Sequence, residues 1–272
     1  MVARVNRSFA TSEVPGTRFA AVRWVAETGS TNRDLLAAAA EGVSEGLVLV
    51  ADHQTAGRGR LDRAWIAPTG ASLLVSTLLR PVVGPEDLFL LTLACGLAAV
   101  DAVDEVAGVR PGLKWPNDLV VADGPLVDRK LAGILAESHV VNGRVDAVVV
   151  GMGLNLDWPA ELPEELAATA ASVNHLTGGP VDREDVLVAW LRHYDRHLTA
   201  ITIERERAEF LDEVRAASAT LGRHVRVERS DGFFEGQAIA LADDGQLLVD
   251  CGGDGGVVAV TVGDIVHARL LG

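Results

Sequence analysis

KLAGILAESHVVNGRVDAVVVGMGLN, residues 130–155, is the stretch that decides the fold. It holds two β-rich runs, at 131–136 and 145–150, and runs this apolar imply a largely buried sheet. Further β-rich text at 18–25, 47–51 and 72–79 extends the sheet, and glycine- and proline-rich turns or helices separate the runs. Ser30, Thr31 and Asn32 introduce the Ala-rich run DLLAAAAEG, with Thr31 and Asp34 spaced as a capping box and Gly42 placed to end a helix. Pro85 and Glu86 open a helical pattern extending to about Val106, and Asp182 opens another that runs into VLVAWLRHYDRHL. Both read as helices covering the sheet.

After the charged run ERERAEFLDEVRAAS the texture changes at Leu221. HVRVER, FEGQAIAL, QLLVD and VVAVTV are short, mostly alternating segments divided by SDG, ADDG and GGDGG, as in a compact all-β module. The expected division is therefore 1–220 and 221–272, and a module of about fifty residues leans on its neighbour for stability.

Composition excludes several classes. With 38 acidic against 24 basic residues and a net charge of -14, a broad nucleic-acid footprint is not expected, so any polyanion site is local. The apolar stretch 88–100 is shorter than the roughly 18 residues of a membrane span, and Asp101 ends it. The opening residues lack an extended apolar run, which sets a cytoplasmic expectation. Cys95 and Cys251 show neither CxxC spacing nor a framework of pairs and read as inert core thiols. The seven histidines show no ligand spacing, so His193 and His197 read as a solvated helical face and no structural metal is expected.

Four motifs carry chemistry. GRGRLDRAW, 57–65, crowds Arg58, Arg60 and Arg63 between glycines, a composition suited to a loop closing over an anion. In KWPNDL, 114–119, Pro116 biases Trp115 away from helix and makes a rigid extended or turning presentation of Lys114, Asn117 and Asp118. KLAGILAE places Lys130 in an otherwise apolar strand, where a buried ammonium needs an anionic partner, and Gly133 removes a side chain from its face. In VVVGMGLNL, 148–156, glycines precede Asn155 and permit close backbone approach to a ligand, without the GxGxxG spacing of a dinucleotide site.

Taken in order, SerThrAsn at 30–32, HQTAGRGR at 53–60, KWPND at 114–118, KLAGILAE at 130–137 and GMGLN at 151–155 resemble biotin protein ligases. The resemblance runs from about Ser30 to the end of the chain. It implies an α+β fold: a mixed sheet with helices like the catalytic domain of class II synthetases, followed by a small SH3-like β-barrel. Only about thirty residues precede Ser30, so the resemblance points to the monofunctional type without an N-terminal DNA-binding domain.

The resemblance implies ATP-dependent formation of biotinyl-AMP, release of pyrophosphate, and transfer of biotin to an acceptor lysine. Two unit anions about 4 Å apart repel by roughly 4 kcal/mol at an effective dielectric of 20, so joining a carboxylate to a phosphate calls for fixed cations. By resemblance Lys130 bridges the biotin carboxylate and α-phosphate, Arg60 contacts the same region, and Asp118 orients and deprotonates the acceptor lysine. Ser30, Thr31, Asn32, Gln54, Gly57, Arg58, Arg60, Lys130 and Gly133 match biotin-binding positions. Arg58, Arg60, Arg63, Trp65, Asn117, Lys130 and Asn155 match the nucleotide site, and Mg2+ enters only with ATP. The loop carries Asp62 where the family usually has glycine, which puts a negative, less flexible residue beside the arginines.

The implied acceptor is a biotin carboxyl carrier domain of an acyl-CoA or pyruvate carboxylase, with neither nucleic acid nor membrane as partner, and the resemblance allows monomer or homodimer. The nearest rival is a lipoate protein ligase, which shares the fold and the adenylate chemistry but not the GRGR and KWPND pair. A nucleic-acid module using the Gly/Arg loop is opposed by the acidic balance and by an aromatic content of 4%.

Overall fold

In the computed structural model, residues 14–81, 83–229, 232–261 and 267–271 are described. The opening segment read above for export signals lies outside them. Strands β1 (Ala21–Thr28), β2 (Leu47–Gln54), β3 (Ser72–Leu79), β4 (Gly112–Lys114), β5 (Asp118–Val120), β6 (Lys130–Val141) and β7 (Arg144–Asn155) form one sheet in the order β1-β2-β3-β7-β6-β5-β4. β1 and β2 are parallel and the remaining pairs antiparallel, so the sheet is mixed as expected.

All eight residues of β3 are buried, because both faces of the sheet are covered. On one face lies helix α1 (Thr31–Ala40), whose Leu35 and Ala39 pack with Leu47, Leu49, Leu78, Ala147 and Val149. Leu73, Val75 and Leu79 belong instead to the large core built around helices α2 (Leu88–Ala107) and α5 (Arg183–Ala200). Short helices α3 (Glu164–Ala167) and α4 (Val173–Thr177) precede α5, and α6 (Glu204–Ala216) follows it. The charged run read without an assigned structure is that last helix, with Phe210, Leu211 and Val214 turned inward at helical spacing.

Strands β6 and β7 are twelve residues each, about twice the apolar runs that announced them. Toward the hairpin, residues 135–141 of β6 and 144–146 of β7 are partly or fully exposed, and the strands meet at Asn142 and Gly143, both at positive φ, the residues a tight hairpin turn favours.

Two readings are corrected. No capping box forms at α1: Ser30 is the N-cap and makes no side-chain cap bond, and Asp34 accepts from Thr28 Oγ1 instead. The orphan amide of Thr31 is satisfied from another element, by Gln54 Oε1 at 2.8 Å. His197 is not on a solvated face; it is buried on the inner stripe of α5 with Trp190 and Tyr194, and its Nε2 lies 2.9 Å from Asp101 Oδ2 on α2. The other two members of that stripe donate to α2 carbonyls, Trp190 Nε1 to Cys95 and the Tyr194 hydroxyl to Leu91. Burial pushes the pKa of Cys95 and of Tyr194 up, as befits inert core groups.

A second sheet of five antiparallel strands comprises β8 (His224–Arg229), β9 (Gly232–Leu241), β10 (Leu247–Asp250), β11 (Val257–Val260) and β12 (His267–Leu271), in the order β11-β10-β9-β8-β12. The sequence reading missed β12, which follows the last run it recognised. This sheet docks on the β4–β5 hairpin through Trp115, whose backbone N–H donates to Thr220 Oγ1 and whose indole donates to the Gly245 carbonyl at 3.1 Å. Among the described residues, no helix is long and apolar enough to cross a membrane.

Candidate functional site

Register across β3, β7 and β6 builds the floor of a cavity of about 740 Å3. Gly151 pairs with Ser76 on one side and Leu135 on the other, while Gly153 pairs with Leu74 and Gly133. The glycines leave room for side chains that lie flat on the sheet. A Cβ at Gly153 would sit 2.3 Å from Trp65 Cε2, and one at Gly151 would sit 2.0 Å from Asn32 Oδ1. GMG is thus a bare strip on which Trp65 and Asn32 rest.

One end of the cavity is uncharged and hydrogen-bonding. Ser30, Thr31 and Asn32, at the start of α1, are all buried. Thr31 meets Gln54 Oε1 with its amide and its hydroxyl, and Ser76 Oγ lies 2.7 Å from Thr31 Oγ1 and 2.6 Å from Asn32 Oδ1. Val75, Ile134, Leu135, Met152 and Trp158 supply apolar wall. Ser76 and Trp158 escaped the sequence reading. Ser76 had a faint signal, a hydroxyl in the otherwise apolar SLLVSTLL, whereas nothing local marked Trp158, which is placed by its 2.8 Å bond to Ser72 Oγ.

The other end is ionic. Lys130 opens β6 and its Nζ lies 2.6 Å from Asp118 Oδ1, the anionic partner its place in an apolar strand demanded. The ammonium also stands 5.4 Å from the centre of the Trp65 ring. Asp118 and Asn117 are delivered by the β4–β5 hairpin, whose turn contains a cis Trp115–Pro116 bond. Asn117 donates to the Ile134 carbonyl and accepts from Arg60 NH1 at 3.5 Å. Burial lowers the pKa of Arg60, with Arg63 adding to the effect against the opposing charge of Asp118. Asn155 donates to the Ala171 carbonyl at 3.0 Å and more weakly to that of Lys130, and its buried Oδ1 has no partner among the described residues.

Gly57–Trp65 arches over these groups. The arch is closed by the Trp65 amide donating to the Gly57 carbonyl and by pairing of Arg58 with Ala64. Leu61 and Asp62 stand in succession at φ 55° and 57°, the second being where the family usually has glycine. Of the residues matched to the biotin and nucleotide sites, all line the cavity except Gly57, which sits at the base of the arch, where a Cβ would meet the Trp65 carbonyl oxygen at 2.5 Å. Arg58 lines it too, but its guanidinium is engaged by Glu137, at 2.7 and 2.9 Å from the two carboxylate oxygens.

Residues 25–155 match the Biotin/lipoate A/B protein ligase family, and residues 220–268 match the Biotin protein ligase C terminal domain. The chain is 41% identical over 251 residues to a biotin--[acetyl-CoA-carboxylase] ligase of Mycobacterium tuberculosis, covering 90% of this chain and 88% of the relative. It is 33% identical to the bifunctional ligase/repressor BirA of Bacillus subtilis over 76% of this chain and 62% of that longer protein. Among solved structures, a biotin protein ligase from Aquifex aeolicus in complex with biotin and ATP superposes with a TM-score of 0.77 at 30% identity, covering 92% of this chain and 99% of the other. By its motifs, its fold and its relatives, the chain belongs to the biotin protein ligase family.

Proposed function

We propose that the chain activates biotin with ATP to biotinyl-5′-AMP and transfers the biotinyl group to a lysine of a biotin carboxyl carrier domain of an acyl-CoA or pyruvate carboxylase. The observation that carries this reading is one cavity with neutral hydrogen-bonding groups and apolar wall at one end and Lys130, Arg60 and Asp118 at the other. Biotin has the same polarity: a neutral ureido ring, an apolar chain and a carboxylate. Ser30, Thr31, Asn32 and Gln54 would meet the ring, with Gly57 and Arg58 closing that end and Gly133 leaving space beside the chain.

In the first step a biotin carboxylate oxygen attacks the α-phosphorus, and the bond from that phosphorus to the pyrophosphate oxygen breaks. Lys130 and Arg60 would neutralise the anions being joined, with Arg63 at the rim. Asn155 Oδ1, a buried acceptor without a partner, suits an amino donor such as that of adenine, beside the face of Trp65. Asn117 offers a hard oxygen donor that already accepts from Arg60, which suits Mg2+ arriving on phosphate rather than a closed protein cage. Bound there, the ion would offset phosphate charge.

In the second step the acceptor amine attacks the acyl carbon, AMP leaves with the electron pair of the carbon–oxygen bond, and Asp118 takes the amine proton. Closure of the 57–65 arch would keep water from the mixed anhydride. The reading includes two domains, 1–220 and 221–272, the second an SH3-like barrel, which the five antiparallel strands support. It also includes a cytoplasmic location, with which the free thiols Cys95 and Cys251 agree. Exchange of labelled pyrophosphate into ATP, run with biotin and separately with lipoate, tests it. Exchange with biotin and labelling of a carrier domain are expected, with exchange reduced about a thousandfold in Lys130→Ala. Exchange with lipoate alone would replace the reading by that of a lipoate ligase.

A further inference from the structure

Glu137 lies beyond the cavity wall, on the strand that begins at Lys130 and passes Gly133 and Leu135. Its carboxylate holds two groups at once. Arg58 NH2 contacts both oxygens, and Asn32 Nδ2 donates to Oε2 at 2.8 Å. The side chain is 22% exposed, so neither bond is a fully solvated surface contact. We infer that Glu137 is a positioning residue for the biotin end of the pocket: one carboxylate fixes the wall through Asn32 and the arch through Arg58. This rests on the ligase reading above.

The reason is hydrogen-bond direction. A carboxylate only accepts, so Glu137, with the Leu135 carbonyl, forces Asn32 to present both amide hydrogens to β6 and its oxygen to Ser76. Ser76 has one hydrogen, and Asn32 Oδ1 has none. With that hydrogen directed to Asn32, Ser76 holds the asparagine oxygen at 2.6 Å, and its own oxygen stays 2.7 Å from Thr31 Oγ1. The Thr31 amide, meanwhile, holds Gln54 Oε1. A charge outside the cavity thereby sets which pocket atoms donate and which accept. Arg58 extends the same control to the arch, because its backbone pairs with Ala64 and so frames the loop that closes over the ligand. A neutral amide at 137 would have to point an NH2 group at either Asn32 or Arg58, both donors there.

The test is steady-state pyrophosphate exchange with the full chain, varying biotin and ATP separately. Wild-type chain that does not exchange with biotin removes the ligase reading itself; the outcomes below concern Glu137 alone and presuppose an active wild type. For Glu137→Gln, KM for biotin is expected to rise about ten- to a hundredfold, with kcat and KM for ATP within about threefold, because the lost interaction is made equally in ground and transition states. An unchanged KM for biotin, a rise of both KM values together, or a fall in kcat alone would overturn the inference. If Glu137→Gln does not fold, Glu137→Asp takes its place: it keeps the charge but is one methylene too short to hold both partners. A smaller rise in KM for biotin alone supports the inference, and an unchanged KM overturns it.

Discussion

Lys130 and Asp118 form an ion pair across the ionic end of the cavity, and on the proposed chemistry each would serve a different step. While paired, the ammonium is neutralised and the carboxylate is held by it. An arriving carboxylate and phosphate would compete for the lysine and so release Asp118 for the acceptor amine, which has to lose a proton from a pKa of about 10.4. Asp118→Asn is therefore expected to leave pyrophosphate exchange within a few fold while slowing biotin transfer to a carrier domain about a hundredfold. Single-turnover transfer from preformed biotinyl-AMP measures the second step alone, and equal losses in both steps would refute the division of labour. Gly153 makes a second residue-scale case. A methyl there would stand 2.3 to 2.7 Å from three atoms of the Trp65 ring, too close for the indole to stay on the strand. Gly153→Ala should fold, since its neighbours on β7 are unaffected, but should push Trp65 toward solvent. A red-shifted emission relative to a Trp65→Phe background, together with weakened ATP binding, is the expected signature.

At the scale of elements, the buried stripe of α5 against α2 ends in charge. Burial raises the pKa of Asp101, but the hydrogen bond from His197 and the charges of His197, His193 and Arg196 outweigh it and hold the pKa below its ordinary 3.8. The folded chain thus binds fewer protons at this carboxylate than the unfolded chain does. Its contribution is complete above pH of about 4 and is lost as pH falls through the lower folded value. Asp101→Asn should therefore be less stable than wild type at pH 7, and the gap should narrow as pH falls below about 4, as read from urea midpoints. A gap independent of pH would show that the ion pairs contribute nothing. This stripe also marks the limit of what periodicity reveals. The helical run 186–198 was legible as a helix, yet its spacing could not tell that His197 faces α2, because a histidine fits a wet or a buried face and only Asp101 decides. The sheet and the cavity residues were legible because apolar runs and glycine-bounded motifs are local signals. The hairpin end of β6 was not, since half-exposed positions alternate there, nor was the cavity end of β7, where glycines interrupt the apolar run, and Ser76 and Glu137 gain their roles only through partners more than forty residues away.

At the scale of the molecule, the two sheets meet at the hairpin that carries Asn117 and Asp118. Trp115 is the peg: its indole donates to Gly245, its ring stands edge-on to Phe89 at 6.3 Å, and its own amide is fixed by Thr220. KWPND thus works on two faces, with the tryptophan turned to the second sheet and the asparagine and aspartate turned to the cavity. Arg207 and Arg215 reinforce the joint by donating to the carbonyls of Asp243 and Leu241, within and just before the turn that carries Gly245. Gly245 stands at φ +85°, and a Cβ on it would meet Phe89 at 2.7 Å and Leu93 at 2.9 Å. Gly245→Ala, a change in the second sheet, is therefore expected to displace the peg and reduce adenylate formation in a cavity that Gly245 does not line. Trp115→Phe keeps an aromatic ring but removes one hydrogen bond and part of a buried indole. It should cost about 2 kcal/mol and lower Tm by about 4 to 8 °C with near-normal exchange. The pair of variants separates two roles for the second sheet. If it only adds stability, activity follows Tm in both; if it also sets the position of Asn117 and Asp118, Gly245→Ala loses exchange out of proportion to its Tm. The second outcome is the expected one, because the hairpin strands are only three residues long and the peg stands two and three residues before Asn117 and Asp118.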